Sequence, residues 1–217
     1  MTQATTRLRV VVLISGGGTN LQALIDHAAA GADFEICGVI SNRPGVRGLE
    51  RAETAGIPTR VVDHTAYPDR EGFEKVLAGA VDAFGPGLVV LAGFMRILTA
   101  GFVSHYAGRM LNIHPSLLPA FQGLHTHRRA LEAGVSEHGA SVHFVTDELD
   151  GGPVIAQVRV PVLAGDDEDR LAARVLAREH ELLPTVVSWF AAGRLALRDG
   201  GVWLDGAPLT APARCCD

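Results

Sequence analysis

The stretch that decides the fold is residues 8–20, which read LRVVVLISGGGTN. Its first seven residues are mostly apolar and β-branched, which predicts a strand buried on both faces. Glycines end this run at 16–18, and apolar residues at helical spacing then predict a helix over 19–30. A glycine turn that leads into a helix N-terminus is typical of an anion site, because backbone N–H groups and the helix dipole meet there.

The same strand–helix alternation continues along the chain. The pattern predicts further strands at 34–40, 59–62, 88–92 and 109–113, with helices at 46–55 and 69–84. Strands at 141–145 and 154–160, a helix over 166–192 that is a candidate for a bend at its proline, and a terminal hairpin over 194–204 follow. The order indicates an α/β protein with a mostly parallel, twisted sheet, helices on both faces and a Rossmann-like N-terminal half.

Composition limits the class of protein. The chain has 217 residues, of which 47% are hydrophobic and 20% charged, so we expect one folded domain and no disordered chain. The net charge of -5 argues against a nucleic-acid partner. No apolar run approaches the ~20 residues that span a membrane. The polar start lacks a signal sequence, so we expect a cytoplasmic protein. We expect Cys215 and Cys216 to lie in a disordered tail over 210–217.

Two polar groups stand at the end of the strand predicted at 109–113. Asn112 and His114 are two residues apart, so their side chains point the same way. An amide and a protonated imidazole together suit the stabilisation of an oxyanion. A carboxylate of the loop that holds Asp147, Glu148 and Asp150 would orient and charge the histidine. The simpler alternatives are a strand-end histidine with ordinary partners and a solvated acidic turn.

Other patterns leave alternatives open. The glycine turn is no Walker loop, and Leu21 takes the third glycine position of a dinucleotide fingerprint, although Arg43 keeps NADP open. A plain turn with Thr19 as helix cap is the simpler interpretation. The apolar stretch 91–98 is either core or a pocket wall for a flat ligand. We predict no metal site, because the histidines at 125, 127, 138 and 143 lack zinc-site spacing and neighbouring cysteines.

Four segments together resemble the phosphoribosylglycinamide formyltransferases, which are folate-dependent enzymes of purine biosynthesis. They cover residues 12–21, 91–98, 111–119 and 141–154, and the resemblance extends over about 9–209. It implies 10-formyltetrahydrofolate as co-substrate, glycinamide ribonucleotide as formyl acceptor, no metal, and a monomer or homodimer. It also implies one formyltransferase domain over 1–217, with a nucleotide-binding half over about 8–115 and a folate-binding, catalytic half over about 116–209.

The resemblance also implies roles for individual residues. The catalytic positions fall on Asn112, His114 and Asp150. The ribonucleotide positions fall on Gly18, Thr19, Asn20 and Glu179. The folate positions fall on Arg70, Met95, Arg96, Ile97, Leu98, Asn112, Val145, Thr146, Asp147, Glu148, Leu149 and Asp150. Asp150 is expected to raise the pKa of His114. The chain departs from its relatives at Gly17, in a variable loop position, and at Gln122, where relatives often carry Pro or Lys.

Three rival functions follow from shared motifs. Methionyl-tRNA formyltransferase is expected to need a further C-terminal domain and a basic surface for tRNA. Formyltetrahydrofolate deformylase usually carries an added N-terminal regulatory domain. A non-catalytic nucleotide-binding module would keep the glycine turn but would not need Asn112, His114 and Asp150 together.

Overall fold

The structure, a computed structural model, describes residues 7–215. The strands of its main sheet are β1 (Leu8–Ile14), β2 (Phe34–Ser41), β3 (Thr59–Val61), β4 (Leu88–Leu91), β5 (Met110–His114), β6 (Glu137–Phe144), β7 (Val154–Pro161) and β11 (Ala213–Arg214). A small antiparallel sheet holds β8 (Leu195–Arg198), β9 (Gly201–Leu204) and β10 (Ala207–Pro208). The helices are α1 (Thr19–Ala29), α2 (Arg47–Thr54), α3 (Arg70–Asp82), α4 (Ala100–His105), α5 (Thr126–Glu132) and α6 (Glu168–Ala191), with a short 3-10 helix at His64–Ala66.

The strand order of the main sheet is β11-β7-β6-β5-β4-β1-β2-β3. The five strands from β3 to β5 run parallel, whereas β6 pairs antiparallel with both β5 and β7. This confirms the mostly parallel α/β fold. The chain order reverses between β1 and β4, and ligands of such sheets bind at the carboxyl ends of the strands that flank a reversal. The glycine turn and the loop after β4 both lie at this edge.

Both faces of the sheet are buried, which explains the unbroken apolar run of β1. Val10 and Val12 pack in the core under α1 and α6, while Val11 and Leu13 pack in a second core under α3 and α4. All four side chains are fully buried. Successive residues of a strand face opposite sides, so a strand covered on both sides must be apolar throughout.

Two short helices were not predicted from the sequence. Helix α4 has six residues and α5 has seven, too few for a clear helical period. The N-cap of α4 is Thr99, whose side chain accepts a hydrogen bond from the N–H of Phe102. Strand β6 also begins earlier than predicted, at Glu137. It includes Gly139, where a Cβ would lie 1.9 Å from the carbonyl oxygen of Val158. Close approach of β7 therefore requires a glycine that weakens the strand signal.

The expectation of a disordered tail is wrong for its first part. Ala213 and Arg214 pair in parallel with Ala156 and Gln157 at the edge of the main sheet. Cys215, the next residue, is buried. Cys216 lies outside the described residues. The long helix is confirmed, and it continues through Pro184 to Ala191. None of the helices in residues 7–215 is long and apolar enough to cross a membrane.

Candidate active site

The three predicted catalytic residues meet at the end of β5. Asn112 and His114 lie on the same side of this strand, as their spacing predicts. Asp150 follows β6, in the turn that leads to β7. Its carboxylate oxygen Oδ2 lies 3.4 Å from His114 Nδ1, and Oδ1 lies 3.4 Å from Asn112 Nδ2. One carboxylate thus contacts both of the other side chains.

The loop between β5 and α5 completes the surroundings of this carboxylate. The N–H of Gly123 donates to Asp150 Oδ2 at 2.9 Å, and the side chain of Gln122 donates to the Asp150 carbonyl at 3.2 Å. The other ring nitrogen of His114, Nε2, lies 3.0 Å from the carbonyl oxygen of Phe121. Both ring nitrogens of His114 therefore face acceptors, an arrangement that suits a protonated ring.

Burial has the largest effect on the pKa of His114. Burial lowers the pKa of His114 below its ordinary value, against the Phe121 carbonyl and the charge of Asp150, which both act to raise it. The expectation that the pKa of His114 is raised is therefore wrong. Asp150 does raise it, as expected, but burial lowers it by more. Burial also raises the pKa of Asp150, but contacts with His143, Gly123 and His114 outweigh it and leave this pKa below its ordinary value. The carboxylate is therefore ionised at neutral pH.

His143 is a polar residue of this site that the sequence interpretation considered only as a metal ligand. It lies on β6 directly opposite Asn112, and its Nε2 is 3.1 Å from Asn112 Nδ2 and 3.7 Å from Asp150 Oδ1. Its side chain is 2% exposed. The signal that reveals it is the antiparallel pairing of β5 with β6, which no local sequence pattern supplies.

The predicted ribonucleotide positions lie at the start of α1. Gly18 is the N-cap residue in a left-handed conformation (φ 68°), and no side chain within residues 7–215 caps the helix. The interpretation of Thr19 as its cap is therefore wrong. The first N–H groups of a helix have no acceptor within it, which suits an anion. Asn20 Nδ2 donates to Glu179 Oε2 on α6 at 2.6 Å. Burial raises the pKa of Glu179, and this hydrogen bond only partly opposes it.

Most predicted folate positions surround one cavity of about 90 Å³ beside the predicted catalytic residues. It is lined by Leu91, Phe94, Arg96, Ile97, Leu98, Val103, Asn112, His143, Val145, Thr146, Asp147, Glu148, Leu149 and Asp150. Met95 and Arg70 do not line it. Met95 is 56% exposed, and Arg70 is an exposed residue that begins α3. A larger groove of about 700 Å³ lies between α1 and α6, and Asn112, His114 and Asp150 do not line it.

The donor set of the site is nitrogen and carboxylate, but it does not form a metal centre. Among residues 7–215, no group of three or more His, Cys, Asp or Glu side chains is placed to hold a metal ion. A buried histidine, an amide and a carboxylate beside a cavity at the sheet edge instead define an α/β enzyme of group transfer or acid–base chemistry.

Comparison with known proteins narrows this class. The profile of the formyl transferase family matches residues 8–187. The Escherichia coli phosphoribosylglycinamide formyltransferase is 56% identical over 203 residues, which cover 93% of this chain and 96% of that protein. The solved phosphoribosylglycinamide formyltransferase of Coxiella burnetii is 53% identical, covers 97% of this chain and 100% of its own, and superposes with a TM-score of 0.93. The human trifunctional purine biosynthetic protein adenosine-3 is 46% identical, with 90% of this chain covering 19% of that protein.

The chain therefore belongs to the formyl transferase family, and within it to the phosphoribosylglycinamide formyltransferases.

Proposed function

We propose that the protein transfers the formyl group of 10-formyltetrahydrofolate to the amine of glycinamide ribonucleotide, with Asn112, His114 and Asp150 as the catalytic residues. The products are formylglycinamide ribonucleotide and tetrahydrofolate, and no metal takes part. The observation that carries the proposal is the buried carboxylate of Asp150 in contact with both His114 and Asn112 beside the cavity. Both substrates are small soluble molecules, which agrees with a cytoplasmic enzyme.

The reaction begins when the amine nitrogen attacks the formyl carbon. A new C–N bond forms, and the carbon becomes tetrahedral with negative charge on its oxygen. The Nε2–H of His114 donates to this oxygen in exchange for the Phe121 carbonyl, and the Asn112 amide donates a second hydrogen bond. Asp150 holds the imidazole and stabilises its charged form.

Collapse of this intermediate completes the transfer. The bond from carbon to the folate nitrogen breaks as the carbonyl re-forms. The amine loses one proton and the folate nitrogen gains one, so the protons balance. His114 needs only to share its Nε2–H with the oxyanion by a hydrogen bond, which is compatible with a pKa that burial lowers below its ordinary value.

The two substrates are assigned to two separate regions of the domain. The N–H groups at Gly18, Thr19 and Asn20 receive the ribonucleotide phosphate, and Glu179 faces its reactive end. The cavity walls at 96–98 and 145–150 receive the folate. Arg70 and Met95, which do not line the cavity, are proposed as further folate contacts on the basis of the family resemblance. Anchoring a phosphate far from the amine contributes to rate by orientation.

An assay of formyl transfer with both substrates tests the proposal. The wild-type protein should transfer the formyl group only when the ribonucleotide is present, which separates it from a deformylase. Asn112→Ala and His114→Ala should each lower kcat by ~100-fold or more, the scale of an oxyanion donor. His105→Ala is the matched control, because this histidine is half exposed and its ring contacts Asp82 on α3 and the ring of Tyr106. Near-wild-type turnover of either site variant would contradict the assigned roles.

A further inference from the structure

The ring of His143 is held at one nitrogen by the backbone. Its Nδ1 lies 2.9 Å from the carbonyl oxygen of Phe144, the next residue of β6. A carbonyl oxygen only accepts, so Nδ1 carries the proton of this hydrogen bond. The ring is 2% exposed, so it cannot turn into solvent. Only the protonation state of Nε2 can therefore vary.

This free nitrogen faces the catalytic amide. His143 Nε2 lies 3.1 Å from Asn112 Nδ2, and Asp150 Oδ1 lies 3.4 Å from the same Nδ2. Both N–H bonds of the amide are thus directed at acceptors within the protein, which leaves Oδ1 of Asn112 for other partners. The oxyanion role needs the opposite orientation, with N–H groups toward the substrate.

We propose that His143 is a positioning residue whose Nε2 sets the orientation of the Asn112 amide; this inference rests on the proposed function. In the neutral ring, Nε2 accepts and holds the Asn112 N–H groups inward. When Nε2 takes a proton, it donates to Oδ1 of Asn112, and the amide turns its N–H groups to the oxyanion. Asp150 Oδ1, 3.7 Å from Nε2, stabilises that proton. His114 is a second titratable group close enough for its charge to interact with a charge on His143.

Two substitutions separate the two ring nitrogens. The amide of His143→Asn reaches about as far as Nδ1 and keeps the contact with Phe144. The amide of the glutamine in His143→Gln reaches about as far as Nε2. Its NH2 group can donate to Asn112 Oδ1 and does not change its protonation state. We expect His143→Asn to lower kcat by roughly 100-fold, the scale of a misplaced catalytic group, with both KM values within about threefold. His143→Gln should stay within about tenfold of wild type.

A double-mutant cycle separates positioning from a general structural role. In the Asn112→Ala background, His143→Asn should change kcat by less than about twofold, because the group through which it acts is gone. Equal loss in both backgrounds, or equal kcat for the Gln and Asn variants, would overturn the inference while leaving the proposed function intact. Near-wild-type turnover of Asn112→Ala alone would overturn both. Thermal unfolding and binding of a folate analogue check the fold, and the Gln variant keeps the comparison valid where the Asn variant is unstable.

Discussion

Asp150 is the residue on which the site depends most. Its backbone takes a left-handed conformation (φ 49°), which aspartate tolerates better than most residues. This conformation lets its carboxylate face His114 and Asn112 while Gly123 donates to it and Gln122 donates to its carbonyl. The departure at position 122 thus supports the loop that holds Asp150 through a side-chain contact that a proline would not make.

Replacing the charge of Asp150 tests its effect on the histidine. Asp150→Asn keeps the shape but removes the contribution that opposes burial, so the pKa of His114 should fall further below its ordinary value. Less imidazolium then meets the oxyanion at neutral pH, and kcat should drop by roughly 100-fold while folate affinity changes less. An NMR titration of His114 in both proteins gives the direct measurement. If pKa and kcat both stay unchanged, Asp150 has no part in the mechanism, and Asp147 or Glu148 is the carboxylate to replace next.

At the scale of elements, two loops at the sheet edge are joined by one hydroxyl group. Ser15, at the end of β1, donates to Asn42 Oδ1 at 2.5 Å and accepts from the N–H of Met95 at 2.7 Å. Ser15 is buried. The glycine turn and the wall of the cavity proposed for the folate are therefore joined through this buried hydroxyl group.

Removing this hydroxyl should loosen the folate wall. Ser15→Ala removes the hydroxyl that pairs with the Met95 N–H and with Asn42 Oδ1. Leaving such buried polar groups without a partner lowers the free energy of unfolding by about 1–3 kcal/mol. We expect the KM for the formyl folate to rise by roughly tenfold, more than the KM for the ribonucleotide. Steady-state kinetics measure both, with Ser104→Ala on the exposed face of α4 as control. A change confined to the ribonucleotide would show that the contact does not position the folate wall.

The glycine turn offers a sharper pair of variants. Gly18 has φ 68°, and a Cβ there would lie 2.6 Å from Gly48 Cα on α2. Gly17 has open space around a Cβ position. Gly18→Ala should therefore destabilise the fold by about 2 kcal/mol or more and raise the KM for the ribonucleotide, since the helix N-terminus is displaced. Gly17→Ala should resemble wild type in thermal unfolding and kinetics. If the two variants had the same KM for the ribonucleotide and the same thermal stability, the turn would not be part of the phosphate site.

At the scale of the whole molecule, buried and half-buried histidines make stability depend on pH. Burial and the neighbouring His127 lower the pKa of His138 to about 4, and the pKa values of His114, His127 and His180 are also below their ordinary values. The unfolded chain therefore binds more protons than the folded protein between pH 6.5 and 4. Stability should fall as pH drops through this window.

The contribution of His138 to this loss can be isolated. Replacing it as His138→Gln removes one titrating group, so the decline in unfolding free energy between pH 6.5 and 4 should shrink by roughly 2–3 kcal/mol. Urea unfolding at a series of pH values measures the slope, with the exposed His105→Gln as control. The same slope in His138→Gln and wild type would place the pH dependence on other groups.

Local patterns in the sequence determined most of the architecture. The apolar run of β1, the glycine turn and the helical period of α1 are encoded within a few residues of one another, so they were predicted closely. The spacing of Asn112 and His114 likewise placed both side chains on one side of β5. The short helices α4 and α5 were not predicted, because six or seven residues are too few to show a helical period. The start of β6 was not predicted, because the close approach of β7 requires a glycine that weakens the strand pattern.

Only the tertiary structure decided which distant groups meet and how their charges balance. The antiparallel pairing of β6 with β5 brings His143 to Asn112, although 31 positions of chain separate them. The pairing of β11 with β7 likewise orders part of the predicted tail. The net direction of the His114 pKa shift depends on the depth of burial, which outweighs the nearby carboxylate. Strand pairing and desolvation are sums over residues far apart in the chain, so no local pattern encodes them.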